Sequence, residues 1–292
     1  MTRPTLERPT SLGGCATLAC LWEATASKPG NVHRGADFED MTFVDFLASA
    51  AVIGPVIDRC HDLGLGGTVL EAVQATRQTV ATNTNLGTLL LIAPLALSSG
   101  DLGAASEIIR DATEDDTGQI YQAIRTALPG GMGKVDEGDV SAEPVHSLLE
   151  AMQLAAERDL VARQYTNGFA EVADAVEHLQ HHFEYNVPLN DAIVLTQLFL
   201  LSRHGDSLIA RKLGVEASQD IANRASSVLA AYQQHREDYF RAVADFDFWL
   251  RADGHRRNPG TTADLLAAAL FVLLVQDRLD WPVTFYGSPP SE

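Results

Sequence analysis

Ser27-Lys28-Pro29-Gly30-Asn31-Val32-His33-Arg34, closed by Asp40-Met41, sets two cations, a carboxylate and two neutral hydrogen-bonding side chains in one short stretch. Arginine forks onto phosphate oxygens and lysine offers them a point charge, so these types suit a phosphate-bearing ligand. The plainer reading is a polar interhelical loop that only stops a helix, and the stretch by itself accommodates both. Pro29 cannot continue a helix and biases Lys28 out of helical angles, while Gly30 takes angles closed to other residues. A helix therefore ends here and the chain turns, gathering Lys28, Gly30, Asn31, His33 and Arg34.

Other turns carry similar groups. Asn83, Thr84 and Asn85 precede an apolar helix and exceed what one N-cap requires; a helix N-terminus is also a natural anion site, so capping and ligand binding both stand. Asp159 precedes Arg163, and Asp206 precedes Arg211, by about one helical turn. Such pairs within one helix ordinarily bond each other and contribute a few tenths of a kcal/mol. In Asn258-Pro259-Gly260-Thr261-Thr262-Ala263-Asp264, Thr261 and Asp264 have capping-box spacing, which explains both without a ligand. The helix they open, Leu265 to Val275, is apolar on all sides and hence buried, so its mouth lies where buried helices end together. Glu23, Asp40, Asp159, Asp206 and Asp264, with Lys28, Arg34, Arg163 and Arg211, all sit beside breaks or turns. Hard oxygen ligands with phosphate co-ligands suit Mg²⁺ better than a softer metal.

Several familiar motifs are missing. No His or Cys cluster has zinc spacing, and His178, His181 and His182 lie on a polar stretch where solvation is expected. There is no Gly-x-Ser-x-Gly elbow. Gly130-Gly131-Met132-Gly133-Lys134 is followed by Val135 where a phosphate loop needs Ser or Thr, and no strand precedes it.

Helical periodicity runs throughout, and hairpin signals are absent. Leu12, Ala16, Ala19 and Cys20 form the stripe of a first helix over Leu12 to Ser27, and Glu23 falls on the same stripe. A carboxylate there must be paired, metal-bound or able to reach water at the stripe's edge. Further helices are predicted over Thr42 to Asp62 with a bend at Pro55, over Val69 to Val80 after a break at Gly64 to Gly67, and up to Leu97. Gly103 to Leu128 divides into two helices at Glu114-Asp115-Asp116, and Pro129 to Pro144 reads as a lid or connector. Asn190 to Leu201 is central, and Gln219 to Leu250 peripheral. The expected fold is all-α: one compact multi-helix domain over residues 11–292, with buried central helices and a flexible tail over 1–10.

Hydrophobic residues make up 46% of the 292, enough for a substantial core, and the formal charge of −18 argues against nucleic acid or an anionic membrane as partner. Leu265 to Val275 is the longest apolar run and too short to span a bilayer. An odd count of 3 cysteines without a CxxC pair, and no secretory leader, fit a cytoplasmic protein. Oligomeric state is not legible.

Glu23 through Met41, the Asn83-Thr84-Asn85-Leu86-Gly87 turn, Asp206-Ser207 with Arg211 and Gly214, and Asn258 through Leu265 together resemble the triphosphoribosyl-dephospho-CoA synthase family, over roughly residues 13 to 280. The resemblance implies an all-helical enzyme that joins ATP to 3′-dephospho-CoA and expels adenine, with Mg²⁺ as expected cofactor. It further implies that Glu23, Asp40 and Asp264 take metal or acid–base roles, with Asp206 as a further metal ligand. Lys28, Arg34 and Arg211 would bind the triphosphate and Asn31, Asn83 and Asn85 would orient ribose or base; Gly30, His33, Thr84, Arg163, Asn258 and Gly260 complete the expected binding set. The chain departs from citrate-system members at His33 (Asp there), at Asn85-Leu86 (His-Lys) and at Gly260-Thr261-Thr262 (Gly-Gly-Ser). In this it looks more like members from archaea and one-carbon-metabolising bacteria. A different acceptor for the same ATP chemistry, or a non-catalytic nucleotide-binding helical module, are the alternatives.

Overall fold

The computed structural model describes residues 8–127 and 147–287. Fourteen helices and no strand are found among the described residues, as the periodicity predicts. The Pro129 to Pro144 loop, with its glycine run, lies outside them.

α1 (Leu12–Thr25) is capped by Ser11, whose hydroxyl accepts from Gly14 N at 3.0 Å, and buries Ala16, Ala19 and Glu23 on one stripe. α2 (Phe43–Ile57) starts on a Thr42/Asp45 capping box and ends two residues after Pro55, earlier than the periodicity suggests. α3 (Cys60–Thr79) follows at once; its only non-helical residue is Gly64 (φ 70°), so the break expected over Gly64 to Gly67 is a kink at a single glycine. Gly66 resumes the helix because its N–H donates to Asp116 Oδ1 (2.8 Å), and Asp116 replaces the lost intrahelical acceptor. α4 (Leu86–Leu97) is buried on nearly every face. α5 (Leu102–Arg110) and α6 (Glu114–Ala127) divide just before Glu114-Asp115-Asp116, which form the first turn of α6, where carboxylates favour the helix dipole.

α7 (Leu148–Ala155), α8 (Leu160–Asn167) and α9 (Ala170–Glu184) lead to the buried α10 (Leu189–His204). α11 (Ser207–Leu213) is short, and the predicted long peripheral helix is two, α12 (Val215–Gln234) and α13 (Arg236–Arg251), parted at His235. The last, α14 (Gly260–Val275), is buried continuously from Leu265 to Leu274 and touches α1, α4, α8, α9, α10 and α11. It is the axis on which the helices carrying the candidate residues converge. Among the described residues no single helix is long and apolar enough to cross a membrane.

The histidines differ from expectation. His178 stacks on Phe199 (centroids 4.3 Å apart) and bonds Thr196 Oγ1 at 2.9 Å, and His182 buries its Nε2. Only His181 is solvated. The apolar positions interleaved with these histidines turn the stretch toward α10.

Candidate active site

A cavity of about 680 Å³ opens where α1, α4, α8, α11 and α14 end or begin. Its wall includes Glu23, Asn31, Asp40, Asn83, Thr84, Asn85, Arg211, Asn258, Gly260 and Asp264, brought together from all four stretches named above. Phe46, Leu90, Tyr121, Ile124, Met152 and Val161 supply an apolar part of the same wall.

Glu23 closes the buried stripe of α1. Lys28, completely buried just past the helix, places Nζ 2.9 Å from Glu23 Oε1 and also donates to the Glu23 carbonyl. The carboxylate that looked costly on an apolar stripe is therefore paired. Lys28 itself lies off the cavity wall, so the turn uses its lysine to hold an acid and not to offer a free charge. Asp264 accepts from Thr88 Oγ1 at 2.7 Å. Protein surrounds it on most sides while its carboxylate opens onto the cavity; burial, with the nearby Glu23, Asp206 and Asp159 carboxylates, pushes its pKa up to about 8 against the Thr88 hydrogen bond.

The helix caps around the site are not those that spacing suggests. Asp264 does not cap its own helix. The N-terminus of α14 is held by Asp206, fully buried, whose Oδ2 accepts from Thr262 N and Oγ1, each at 2.8 Å, while Oδ1 accepts from Leu208 N (2.9 Å) and Ile209 N (3.2 Å). Both oxygens are taken and Asp206 lies off the cavity wall, which leaves it no place in a metal shell here. The acid–arginine repeats also exchange partners. Asp159 caps α8 through Oδ1 and pairs through Oδ2 with Arg211, not Arg163. Arg163 turns to Glu171 (3.5 Å) and the Ala156 carbonyl (3.3 Å), away from the cavity.

Asn31 is built in from three sides. Its Nδ2 donates to Asn258 Oδ1 (2.7 Å) and to the Pro259 carbonyl (3.3 Å), and its Oδ1 accepts from Gln197 Nε2 (2.8 Å). Gly30, at φ 77°, donates its N–H to Asp247 Oδ1 (2.7 Å), which Arg251 also holds. The glycine is thus a structural turn behind the site. His33 points off the wall with Nδ1 accepting from Gly35 N (3.1 Å), and burial plus the Arg251 and Lys28 charges lowers it to about 4. Arg34 is exposed, with its guanidinium 5.6 Å from the Tyr286 ring centre. Asp40 is exposed at the rim and pairs with His255 at 3.0 Å.

Of the amide turn, Asn83 caps α4 through Leu86 N (3.1 Å), Thr84 meets Ser49 (2.6 Å) and Asn85 donates to Thr76 (3.1 Å). All three still line the cavity, so capping and wall are combined. Arg158, Lys212 and His255 also line it and escaped the sequence reading; Gly87 and Thr88 line it too, and belong to the amide turn but were not among the expected site residues. For Arg158 and Lys212 the one available signal was adjacency to Asp159 and Arg211. Among the described residues no group of three or more His, Cys, Asp or Glu side chains is gathered to hold a metal ion.

An all-helical fold around a half-open cavity of this volume, part apolar and part lined by acids, amides and guanidinium groups, defines a helical protein with a pocket of small-molecule size. The chain belongs to the family described as CitG: ATP:dephospho-CoA triphosphoribosyl transferase, whose model matches residues 9–283. It is similar to a Malonomonas rubra protein assigned as a 2-(5′′-triphosphoribosyl)-3′-dephosphocoenzyme-A synthase, 24% identical over 276 residues that cover 87% of this chain and 84% of that one. A crystal structure from Archaeoglobus fulgidus, assigned as a triphosphoribosyl-dephospho-CoA synthase, superimposes with a TM-score of 0.62 at 27% identity, covering 80% of this chain and 99% of that one.

Proposed function

We propose that this chain moves the 5-triphosphoribosyl group of ATP onto a ribose hydroxyl of 3′-dephospho-CoA and releases adenine. The observation that carries this reading is that Glu23 and Asp264 share one cavity wall with Arg158, Arg211 and Lys212. A donor of this kind needs carboxylates near the sugar carbon that becomes electron-poor and cations near its phosphates. Family membership supplies the reaction class.

In this reaction the bond from the ribose C1′ to adenine breaks, its electron pair leaves with the base, and C1′ acquires oxocarbenium character. Glu23, anchored by Lys28, stabilises that charge through the oxygen the lysine leaves free. Asp264 accepts the proton of the attacking hydroxyl as the new C1′–O bond forms, and that proton leaves on adenine. A carboxylate whose pKa lies near 8 is suited to both steps at neutral pH. Asn31 and Asn258, locked to each other, present a fixed amide edge to sugar or base.

Mg²⁺ is part of the proposal. Such an ion would keep water and phosphate oxygens about it and would need only one or two protein carboxylates. Asp40, on the cavity rim with one oxygen on His255, would be the residue to hold it. When bound it would neutralise charge on the triphosphate.

The test is incubation with ATP, Mg²⁺ and 3′-dephospho-CoA, following adenine and product mass by liquid chromatography. Equal yields of adenine and triphosphoribosyl adduct are expected. Adenine without adduct would overturn the acceptor, and no adenine would overturn the reaction.

A further inference from the structure

We infer that Arg158 and Lys212, together with Arg211, form the polyphosphate-binding group of this cavity. The inference rests on the transferase reading above and assigns within it the charge-recognition role that the Lys28–Arg34 turn does not fill.

Most nearby cations are spoken for. Lys28 is held by Glu23, Arg163 by Glu171, and Arg251 by Asp247 and the Asn31 carbonyl. Arg34 lies off the cavity wall. By contrast Arg158 lines the cavity with no ion pair or side-chain hydrogen bond among the described residues. Lys212 Nζ reaches only the His255 carbonyl, at 3.5 Å. Arg211 gives one Nη to Asp159, and its Nε is buried without a partner.

Asp159 explains how these groups meet. Its Oδ1 accepts from Val161 N (2.8 Å) and Ala162 N (3.3 Å), which fixes it at the start of α8, and its Oδ2 holds Arg211 from the last turn of α11. That contact, together with Leu160 N donating to Ser207 Oγ (3.0 Å), joins the α7–α8 turn to α11, and so brings Arg158, one residue before Asp159, and Lys212, one residue after Arg211, to the wall of one cavity. Three cations then face one contacting carboxylate on the wall of a chain whose net charge is −18. Among the described residues Arg158 and Lys212 have no carboxylate in contact, so their charge is available to an anion that enters the cavity. Two guanidinium forks and an ammonium supply enough donors for several phosphate oxygens.

The shared chemistry is a polyphosphate ester, and two substrates carry one: ATP a triphosphate and 3′-dephospho-CoA a diphosphate. Titration calorimetry of wild type, Arg158→Gln and Lys212→Gln with ATP, adenosine, 3′-dephospho-CoA and pantetheine separates them. Each variant is expected to weaken ATP binding by about tenfold or more and leave adenosine unchanged, the scale of one lost charged hydrogen bond. Lys212→Arg should retain most of the affinity, and Arg256→Gln, whose partner Asp253 lies off the cavity, should match wild type. A loss confined to 3′-dephospho-CoA would support the same group acting on the acceptor's diphosphate. Unchanged affinity for both phosphate ligands, in variants whose melting temperatures match wild type, would overturn the inference while leaving the reaction intact. A wild-type protein that binds neither ligand would overturn the transferase reading beneath it.

Discussion

Gly87 and Asp264 approach so closely that a Cβ built on Gly87 would lie 2.1 Å from Asp264 Oδ2. The glycine is needed for space alone, since its backbone is ordinary helix in the first turn of α4. Its absent side chain is what lets α4 and α14 bring Thr88 and Asp264 into hydrogen-bond contact.

Gly87→Ala should therefore displace the Asp264 carboxylate. We expect kcat to fall by about 100-fold, the scale of a misplaced general base, with ATP affinity reduced far less. Steady-state kinetics beside ATP titration checks this; a fully active variant would contradict the packing described.

Asp264 gives two pH effects of known sign. Its folded pKa, about 8, lies above the unfolded value, so the native state holds this proton longer and stability contributed by the group declines as pH rises from about 4 to about 8. Asp264→Asn should remove that decline, seen as a higher melting temperature at pH 8 relative to wild type. The same substitution should lower turnover by at least about 100-fold, while wild-type kcat/KM should rise with pH toward a plateau above about 8.

Removing Lys28 isolates a buried acid. Lys28→Met should destabilise the fold by about 3–5 kcal/mol, because Glu23 loses its counter-charge in a site that water barely reaches. The double variant Lys28→Met/Glu23→Gln should recover part of that stability in urea melts and none of the turnover. Recovery of turnover would remove Glu23 from the reaction.

Asp206→Asn separates framework from chemistry. An amide can accept at one oxygen but presents a donor toward Thr262 N–H, so the clamp on α14 is lost at about 1–3 kcal/mol. The Mg²⁺ concentration for half-maximal rate should stay at the wild-type value. A large increase would return Asp206 to the metal shell.

Acid should unfold this protein early. His33, His178 and His182 are each lowered to about 4, His33 and His178 chiefly by burial and then by neighbouring positive charge, and His182 by burial and His181. Between pH 6.5 and about 4 the unfolded chain takes up protons that the native state refuses, so stability is lost as pH falls through that window. Urea midpoints at pH 7 and pH 5 measure it, and His178→Gln/His182→Gln should shrink the difference.

Much of this protein was decided by local sequence. Periodicity of apolar side chains, the proline and glycine at the Lys28–Gly30 turn, and the continuous apolar run of α14 suffice to place helices, because hydrogen bonds within a helix and burial of one face depend on neighbours in the chain. The stretches that line the cavity were legible for the same reason: polar groups at the ends of buried helices must face something. Partner choice was not legible. Asp159 takes Arg211 over Arg163, Asp206 clamps Thr262 across 56 residues, and Lys28 turns inward to Glu23. A charged side chain bonds whichever opposite charge or orphan N–H is desolvated beside it, and only the packing of α8, α11 and α14 determines which that is. Arg158 and Lys212 became candidates for the same reason, once the fold had placed them on one cavity wall with no carboxylate paired to either among the described residues.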